Sequence, residues 1–313
     1  MLRIIVRRLI SLPFVILSIT FITFIAGYLA PGDPILALMG NQRDEVIYEQ
    51  LRETYGLNAP WYEQYIDYVT GLAQGDLGLS YRFAERPVWD LIGDSIGISF
   101  SLGLVALTLS ITVGIPVGTM AALRQNSTVD RFGMTFMLAF YAIPSFVLIP
   151  VLQWINYQVF LFTDGTALPA AGWGRLEHWI MPVIALSATS MGYIARLTRS
   201  SVLEISRQEF VRTANAKGLT LRRIHWAHIF RNAMLPIVTV IGPSIAFLVT
   251  GAFIVENLFS IPGIGFLSIN AIEQRDYPVI QGTTVFLALA VVIMNLITDI
   301  TYVLLDPRVQ LER

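Results

Sequence analysis

The sequence predicts an all-α polytopic membrane protein, and three observations carry this prediction. Of the 313 residues, 55% are apolar and only 14% are charged, where a soluble domain carries about a quarter charged residues. Six stretches lack Asp, Glu, Lys and Arg for long enough to cross a bilayer, which takes about 20 helical residues. No region alternates in the manner of a transmembrane barrel strand, so the spans are predicted to be helices.

The six predicted spans cover, in order, residues 9–32, 95–123, 132–163, 178–195, 232–255 and 277–298. The third is the longest and contains Pro144 and Pro150, so we expect it to kink or to end before its apolar run does. The fourth is the shortest, at 18 residues.

The charges of the connecting segments predict the orientation. Segments on the side of both termini carry 15 Lys and Arg against 6 on the other side, and the acidic residues divide in reverse, 5 against 16. The positive-inside rule therefore places both termini in the cytoplasm. Three arginines precede the first span, as in a signal peptide. The apolar run of this span is too long for a signal peptide, and Pro31 follows Ala30, the one small residue placed for cleavage. We therefore expect an uncleaved helix.

Residues 33–94 are predicted to form a small helical extracytoplasmic region. One helix begins near Asp44 and ends before Gly56, and another begins at Pro60 and runs to about residue 72. The region holds nine aromatic residues. They suit either a cap that packs onto the membrane surface or a docking face for an extracytoplasmic partner. The candidates for that docking face are Trp61, Tyr65 and Tyr81.

The longest predicted cytoplasmic loop contains a short helix over residues 206–218. Ser206 and Glu209 have the spacing of a capping box, and Gly218 suits the left-handed position after the last turn, which holds Lys217. The helix is too short to span a membrane and is charged. It is therefore expected either to dock onto a soluble partner or to rest on lipid headgroups.

Several kinds of chemistry are excluded or disfavoured by the residues present. The chain has no Cys and one lysine, Lys217, which stands outside any phosphate-binding loop motif, so nucleotide-driven transport needs another subunit. His225 and His228 could share a helix face, but no carboxylate lies between Glu209 and Glu256, which makes a metal site the weaker interpretation. No hydrolase motif is present.

Motifs along nearly the whole chain then resemble those of one family. In chain order they are Ala30-Pro-Gly-Asp-Pro34, Gly75-Asp-Leu-Gly-Leu-Ser-Tyr81, Ala142-Ile-Pro-Ser-Phe146, Phe210-Val-Arg-Thr-Ala-Asn-Ala-Lys-Gly-Leu219, Arg231-Asn-Ala-Met-Leu-Pro236, Phe259-Ser-Ile-Pro-Gly-Ile-Gly265, Arg275-Asp-Tyr-Pro-Val-Ile-Gln-Gly282 and Leu304-Leu-Asp-Pro-Arg308. The set resembles ABC importer permeases, and within them the B-type permease of dipeptide, oligopeptide and nickel importers. The loop departs from the broader family's Glu-Ala-Ala motif, because Arg212 and Thr213 precede Ala214 here.

The resemblance implies a type I ABC importer permease fold with six transmembrane helices in a bacterial cytoplasmic (inner) membrane. It also implies partners, namely a homologous second permease, two ATPase subunits that use ATP and Mg, and an extracytoplasmic solute-binding protein. No nucleic acid and no cofactor of the chain's own is expected. The segment 206–218 is expected to be the coupling helix that docks on an ATPase, with Phe210 and Ala214 as its packing edge.

The expected division is residues 1–94 for the first helix and outer region, 95–305 for the transmembrane core, and 306–313 for a cytoplasmic tail. The expected coupling residues are Glu209, Phe210, Arg212, Thr213, Ala214, Lys217 and Gly218. Candidates for the translocation path or gate are Pro144, Ser145, Thr250 and Glu256. Glu256 and Asp299 lie at span ends, where they are expected to reach water.

The leading solute class is peptides, with nickel, glutathione and sugar-like solutes left open. An ion-coupled secondary transporter and an intramembrane enzyme remain the alternatives. The first would require mid-span carboxylates or broken half-helices with inverted symmetry, and the second a nucleophile with its base.

Overall fold

A computed structural model describes residues 2–40, 44–83, 86–163, 165 and 167–305. Within these ranges the chain is helical apart from turns, loops and one isolated bridge between Leu79 and Pro87. The helices are α1 Leu2–Leu29, α2 Pro34–Met39, α3 Glu45–Thr54, α4 Trp61–Ala73, α5 Val88–Leu123, α6 Thr128–Ala142, α7 Ser145–Phe162, α8 Glu177–Ser206, α9 Glu209–Ala216, α10 Leu221–Arg223, a π-helix Ile224–Phe230, α11 Arg231–Leu258, α12 Ile264–Gln274 and α13 Tyr277–Leu305. The chain divides into two compact units, Met1–Ser99 with Pro262–Leu296, and Phe100–Ile261 with Ile297–Arg313.

The first unit contains α1 to α4, the beginning of α5, α12 and most of α13. Its core includes Leu77, Val88, Ile92 and Val279. Gly282 permits the close packing here, since a Cβ at that position would lie 2.5 Å from Cγ1 of Val88. The loop after α4 and the first turns of α5 are thereby packed against the beginning of α13.

In the second unit, α8 packs against α6, α7 and α11. Glycines allow its closest approaches. A Cβ at Gly118 of α5 would lie 2.3 Å from the carbonyl oxygen of Ala195, and a Cβ at Gly192 of α8 would lie 2.3 Å from that of Met137. Two neighbouring helices are therefore in backbone contact with α8.

Five helices in the described part of the chain are long and apolar enough to cross a membrane, namely Ile10–Leu29, Val88–Leu123, Ser145–Phe162, Glu177–Ser206 and Tyr277–Thr298. They correspond to the first, second, third, fourth and sixth predicted spans. The fifth predicted span coincides with α11, whose side chains at 241–251 lie outside the described residues. The count of six therefore stays a prediction.

The expectation that the third predicted span kinks or ends before its apolar run does is confirmed, because the stretch 132–163 is divided between two helices. The helix α6 ends at Ala142, and α7 begins at Ser145. Ile143 has φ −82° and ψ 119°, the extended conformation that the ring of a following proline imposes, and Pro144 lacks the N–H that would continue the helix. Pro150 lies within α7 without ending it.

Candidate functional site

The predicted coupling segment forms the helix α9, Glu209–Ala216, shorter than expected. Its C-terminus ends in a Schellman motif, because the N–H of Leu219 donates to the carbonyl of Ala214 and the N–H of Gly218 to that of Asn215. Gly218 has φ +74°, which confirms the left-handed position predicted for it.

The predicted capping box is wrong. Ser206 is the last residue of α8, and its hydroxyl donates to the carbonyl of Leu203 at 2.8 Å instead of capping α9. Gln208 occupies the N-cap without a side-chain hydrogen bond. The spacing of Ser206 and Glu209 fits a capping box, but α8 continues through Ser206 and uses its hydroxyl within its own last turn.

One face of α9 is buried against its own chain. Val211 is 4% exposed and Ala214 is 5% exposed, and both belong to a hydrophobic cluster that we call the loop core. The loop core consists of Ala122, Val202, Val211, Ala214, Ile224, Ile229 and Ala233. It joins α9 to the ends of α5 and α8, to the π-helix and to the first turn of α11.

The predicted packing edge of Phe210 and Ala214 is therefore wrong for Ala214, which faces inward. Phe210 is 39% exposed and lies on the outer face of α9. Also exposed there are Arg212, Thr213 and Lys217, and Arg212 forms an ion pair with Glu209 at 3.0 Å. The outer face thus presents one aromatic ring among charged and polar side chains.

An ion pair holds α6 against α8 elsewhere in the second unit. Asp130, in the first turn of α6, accepts hydrogen bonds from Nε and Nη2 of Arg199 at 2.7 and 2.8 Å. It also accepts one from the backbone N–H of Asn126. The hydrogen bonds from Arg199, followed by that from Asn126, outweigh the effect of burial and hold the pKa of Asp130 below its usual value.

The candidates for the translocation path lie on different elements of the second unit. Pro144 and Ser145 are at the junction of α6 and α7. Glu256 in α11 has no exposed surface, so the expectation that it reaches water is wrong. The side chains of Thr250 and Asp299 lie outside the described residues.

The docking candidates of the outer region differ in exposure. Trp61 is 41% exposed. Tyr65 instead packs on Phe21 and Phe24 of α1, and its hydroxyl donates to the carbonyl of Leu17. The helix α4 therefore packs against the middle of α1, and the ring and hydroxyl of Tyr65 are engaged within the chain.

Tyr81, the third docking candidate, is half-buried. Its ring packs on Tyr55 with centroids 4.6 Å apart, and burial raises its pKa. The position of Tyr81 is fixed by Asp276, which accepts hydrogen bonds from the Ser80 hydroxyl and from the N–H groups of Tyr81 and Arg82. Two motifs that lie almost 200 residues apart in the sequence are thus joined in the first unit.

A second carboxylate organises the beginning of the outer region. Asp33 caps α2, accepts a hydrogen bond from the Tyr48 hydroxyl at 2.6 Å and lies 3.3 Å from a nitrogen of Arg52. Partial burial opposes its ionisation, but the hydrogen bonds from Tyr48 and the α2 backbone, with Arg52, hold its pKa below the usual value. The sequence prediction missed α2, although Asp33 followed by Pro34 is a readable N-terminal signal.

The described residues contain no group of three His, Asp or Glu side chains close enough to share a metal ion. His225 and His228 are both half-buried on the π-helix. The sequence prediction did not identify that π-helix, α12, or the pairing of Asp130 with Arg199.

The long apolar helices define a multi-pass membrane protein. The chain belongs to the family described as binding-protein-dependent transport system inner membrane component, whose model matches residues 114–311. The corresponding N-terminal model matches residues 1–103. The chain is therefore a permease subunit of an ABC importer in the inner membrane.

Curated relatives match over the whole length. The chain is 37% identical to the dipeptide transport system permease protein DppB of Bacillus subtilis (strain 168), over 100% of this chain and 99% of that protein. It is 36% identical to the oligopeptide transport system permease protein OppB of Haemophilus influenzae, over 99% and 100%. Among solved structures, the inward-facing MetNI methionine ABC transporter matches with a TM-score of 0.57 at 16% identity, over 69% of this chain and 96% of the other, which shows the fold.

Proposed function

We propose that this chain forms half of the membrane pathway of an ATP-driven importer for a peptide-like solute. The named relatives are permeases of dipeptide and oligopeptide systems and match end to end, which supports this solute class. A homologous second permease would supply the other half of the pathway, and a solute-binding protein would deliver the solute from outside. Two ATPase subunits, with their ATP and Mg, would power the transport.

The helix α9 is proposed as the coupling helix, and the observation that carries this proposal is its two-sided construction. Val211 and Ala214 fix its inner face in the loop core, while Phe210, Arg212 and Lys217 are exposed on its outer face. A helix packed in this way can transmit a displacement, because movement of its outer face must also move the span ends that share the loop core.

Phe210 is the proposed anchor of the ATPase contact. An aromatic side chain on an otherwise polar exposed face is the kind of residue that dominates interface free energies once a pocket on the partner covers it. Closure of the two ATPase subunits on ATP would then move both coupling helices together. The permease pair would rotate from an inward-open to an outward-open arrangement, as in rigid-body switching of other assemblies.

The test compares substitutions on the two faces of α9. Phe210→Ala should weaken ATPase binding by roughly 30-fold, corresponding to about 2 kcal/mol for an anchor residue, and should leave the melting temperature of the permease unchanged. Ala214→Trp should instead destabilise the permease by about 1–3 kcal/mol, because it overpacks the loop core. Leu221→Ala, which truncates an apolar side chain 67% exposed in the same loop, is the matched control.

Co-purification of the ATPase, coupled ATP hydrolysis and thermal unfolding are the three measurements. If Phe210→Ala retains its ATPase and transports normally, α9 is not the docking contact. Uptake that persists without any ATPase and follows the proton gradient would instead favour a secondary transporter, the alternative class.

The orientation proposed for this function has both termini in the cytoplasm, and it rests on the charge distribution. The region 33–94 then faces outward and is the proposed contact for the binding protein. Trp61 is the surface candidate there, whereas Tyr65 and Tyr81 act from within the fold.

A further inference from the structure

The first unit contains a cavity of about 530 Å³. It lies where α1 ends and α13 begins, and the rest of its wall is formed by the end of α3, by α4 and by the loop after α4. The two long helices approach closely beside it, since a Cβ at Gly27 of α1 would lie 3.0 Å from the ring of Tyr277 at the start of α13. Sites for small molecules typically have volumes of about 300–1,000 Å³, so a compact ligand fits here.

Aromatic side chains form much of the cavity wall. The six that line it are Phe24, Tyr28, Tyr55, Tyr68, Tyr81 and Tyr277. The rings of Tyr55 and Tyr81 pack on each other, with centroids 4.6 Å apart. Burial raises the pKa of Tyr68 and of Tyr81, so both remain neutral phenols. Neutral aromatic rings present electron-rich faces, which attract cations.

Two carboxylates on this wall have no cation partner. Asp67 of α4 and Asp76 of the following loop both line the cavity. They flank Gly71, which is one helical turn beyond Asp67, and a Cβ at Gly71 would lie 4.0 Å from Cβ of Asp76. Within the described part of the chain neither carboxylate forms an ion pair, and Asp76 accepts one hydrogen bond, from the N–H of Gly78. Most of their capacity to accept hydrogen bonds therefore remains free.

The basic side chain that lines the cavity, Arg52, is already engaged by its neighbours. One of its nitrogens lies 3.3 Å from the Asp33 carboxylate, Nε donates to the side chain of Asn58, and Nη2 donates to the carbonyl of Leu57. The described lining holds three carboxylates and one guanidinium, so negative charge is in excess there. A cationic ligand is therefore favoured over an anionic one.

Two of the tyrosines that line the cavity have hydroxyl groups without a hydrogen-bond partner. The hydroxyls of Tyr68 and Tyr277 are shielded from solvent and form no hydrogen bond with the described residues. A buried polar group without a partner carries a free-energy cost that an N–H donor of a ligand can remove. The cavity thus combines aromatic rings, free carboxylate oxygens and unpaired hydroxyls.

We propose that this cavity binds an organic primary ammonium group. An ammonium is a compact cation with three N–H donors, which match the oxygens of Asp67 and Asp76 and a tyrosine hydroxyl, while the ring faces attract its charge. A metal ion suits the cavity less well, because hard cations take about six to eight oxygen ligands and aromatic rings form much of this wall. A primary ammonium is present at the N-terminus of a peptide and in phosphatidylethanolamine, and the arms of the experiment distinguish these two sources.

The experiment measures amine binding to the purified full-length chain in maltoside detergent by saturation-transfer NMR. The probes are phenethylamine, which is a primary ammonium at neutral pH, and phenethyl alcohol, its uncharged counterpart of similar shape. We expect the amine to bind about tenfold or more tightly than the alcohol. Asp67→Asn and Asp76→Asn should each weaken amine binding by about tenfold and leave alcohol binding unchanged, because each removes a charged acceptor.

Two controls separate binding from folding. Glu63→Gln removes an exposed carboxylate of α4 that does not line the cavity, and it should leave amine binding unchanged. Because Asp67 and Asp76 are exposed and form no ion pair with the described residues, their Asn variants should keep the melting temperature of the wild type. Equal binding of amine and alcohol, or amine binding that persists when both aspartates are replaced, would overturn the proposal.

The source of the ammonium is tested in nanodiscs of phosphatidylglycerol. Displacement of phenethylamine by added phosphatidylethanolamine would support the proposal with a lipid headgroup as the ligand. Displacement by alanylalanine amide, but not by its N-acetylated form, would support it with a peptide N-terminus as the ligand, the case that rests on the proposed function. Failure of ATP-driven peptide uptake would count against the proposed function alone and leaves the binding measurement interpretable. Loss of the solute-binding protein from the double Asn variant, with no amine binding by the wild type, would assign the carboxylates to a basic residue of that protein and overturn the proposal.

Discussion

The ion pair between Asp130 and Arg199 permits the most direct test of how α6 is held on α8. The carboxylate is nearly buried, with its side chain 5% exposed, and the arginine side chain is 29% exposed. Replacing Asp130 with Asn keeps one acceptor and the hydrogen bond from the Asn126 N–H, but it removes the charge and one of the two hydrogen bonds to the guanidinium. The substitution therefore removes the charge of the contact together with one of its hydrogen bonds.

The burial of the pair sets the expected magnitude. Breaking a fully buried ion pair costs about 3–5 kcal/mol, whereas an exposed one contributes about 0–1 kcal/mol. Because Arg199 keeps some access to water, we expect Asp130→Asn to lower the free energy of unfolding by about 2–3 kcal/mol. In a domain of 150–250 residues each kcal/mol shifts the melting temperature by about 2–4 °C, so the expected fall is about 4–12 °C.

The assay is thermal unfolding of the purified permease in detergent, with Arg199→Gln and the double variant completing a thermodynamic cycle. The matched control is the exposed pair of Glu209 and Arg212, with side chains 87% and 73% exposed, whose single substitutions should shift the melting temperature by about 1 °C or less. A coupling energy near zero in the cycle, or equal shifts for both pairs, would refute the reasoning.

The depressed pKa of Asp130 adds a pH dependence with a definite sign. A carboxylate whose pKa is lower in the folded state contributes stability above its unfolded pKa, about 3.9, and this contribution is lost as the pH falls through the folded value. The difference in melting temperature between the wild type and Asp130→Asn should therefore be constant near neutral pH and shrink below about pH 4. A difference that grows as the pH falls would contradict this assignment.

Four further predictions concern two glycines, the membrane orientation and the source of energy. Gly192→Leu should force α6 from α8 and abolish folding or transport, measured by expression and uptake, and normal uptake would contradict the backbone contact. Gly218→Ala, at φ +74°, should lower stability by about 1–2 kcal/mol in thermal unfolding, and no loss would contradict the Schellman end. A cysteine at Gln74 should react with an impermeant thiol reagent on intact cells, and one at Asn215 only after permeabilisation. The reverse pattern would overturn the orientation. Purified chain without partners should hydrolyse no ATP, and nucleotide-dependent turnover by it would contradict the role given to the ATPase subunits.

Much of the fold could be predicted because the bilayer imposes a simple rule on the sequence. Long uncharged stretches must become helices, and Pro60 and Gly56 marked the limits of two outer helices correctly. The break at Pro144 was only partly anticipated. A proline in a span either bends the helix or ends it, and the choice depends on what packs on the freed backbone groups.

The features that were missed depend on tertiary contacts. The Ser206–Glu209 spacing predicted a capping box. The prediction failed because local sequence cannot show how far the preceding helix continues. The pair of Phe210 and Ala214 was assigned to a single face by its i, i+4 spacing, whereas Ala214 shares the buried face with Val211, three residues before it. Asp130 and Arg199 are 69 residues apart, and no local pattern connects them.

The contacts of α8 suggest how α9, the proposed coupling helix, would act on the proposed pathway. Val202, near its end, belongs to the loop core that holds α9, and Ala195 lies against Gly118 of α5. Gly192 lies against Met137 of α6. Because these contacts are made by backbone and by small residues, they leave little room for side-chain rearrangement to absorb a displacement. If α9 is the coupling helix as proposed, a displacement of α9 by an ATPase would therefore move α8 as a rigid body, together with the parts of α5 and α6 that contact it.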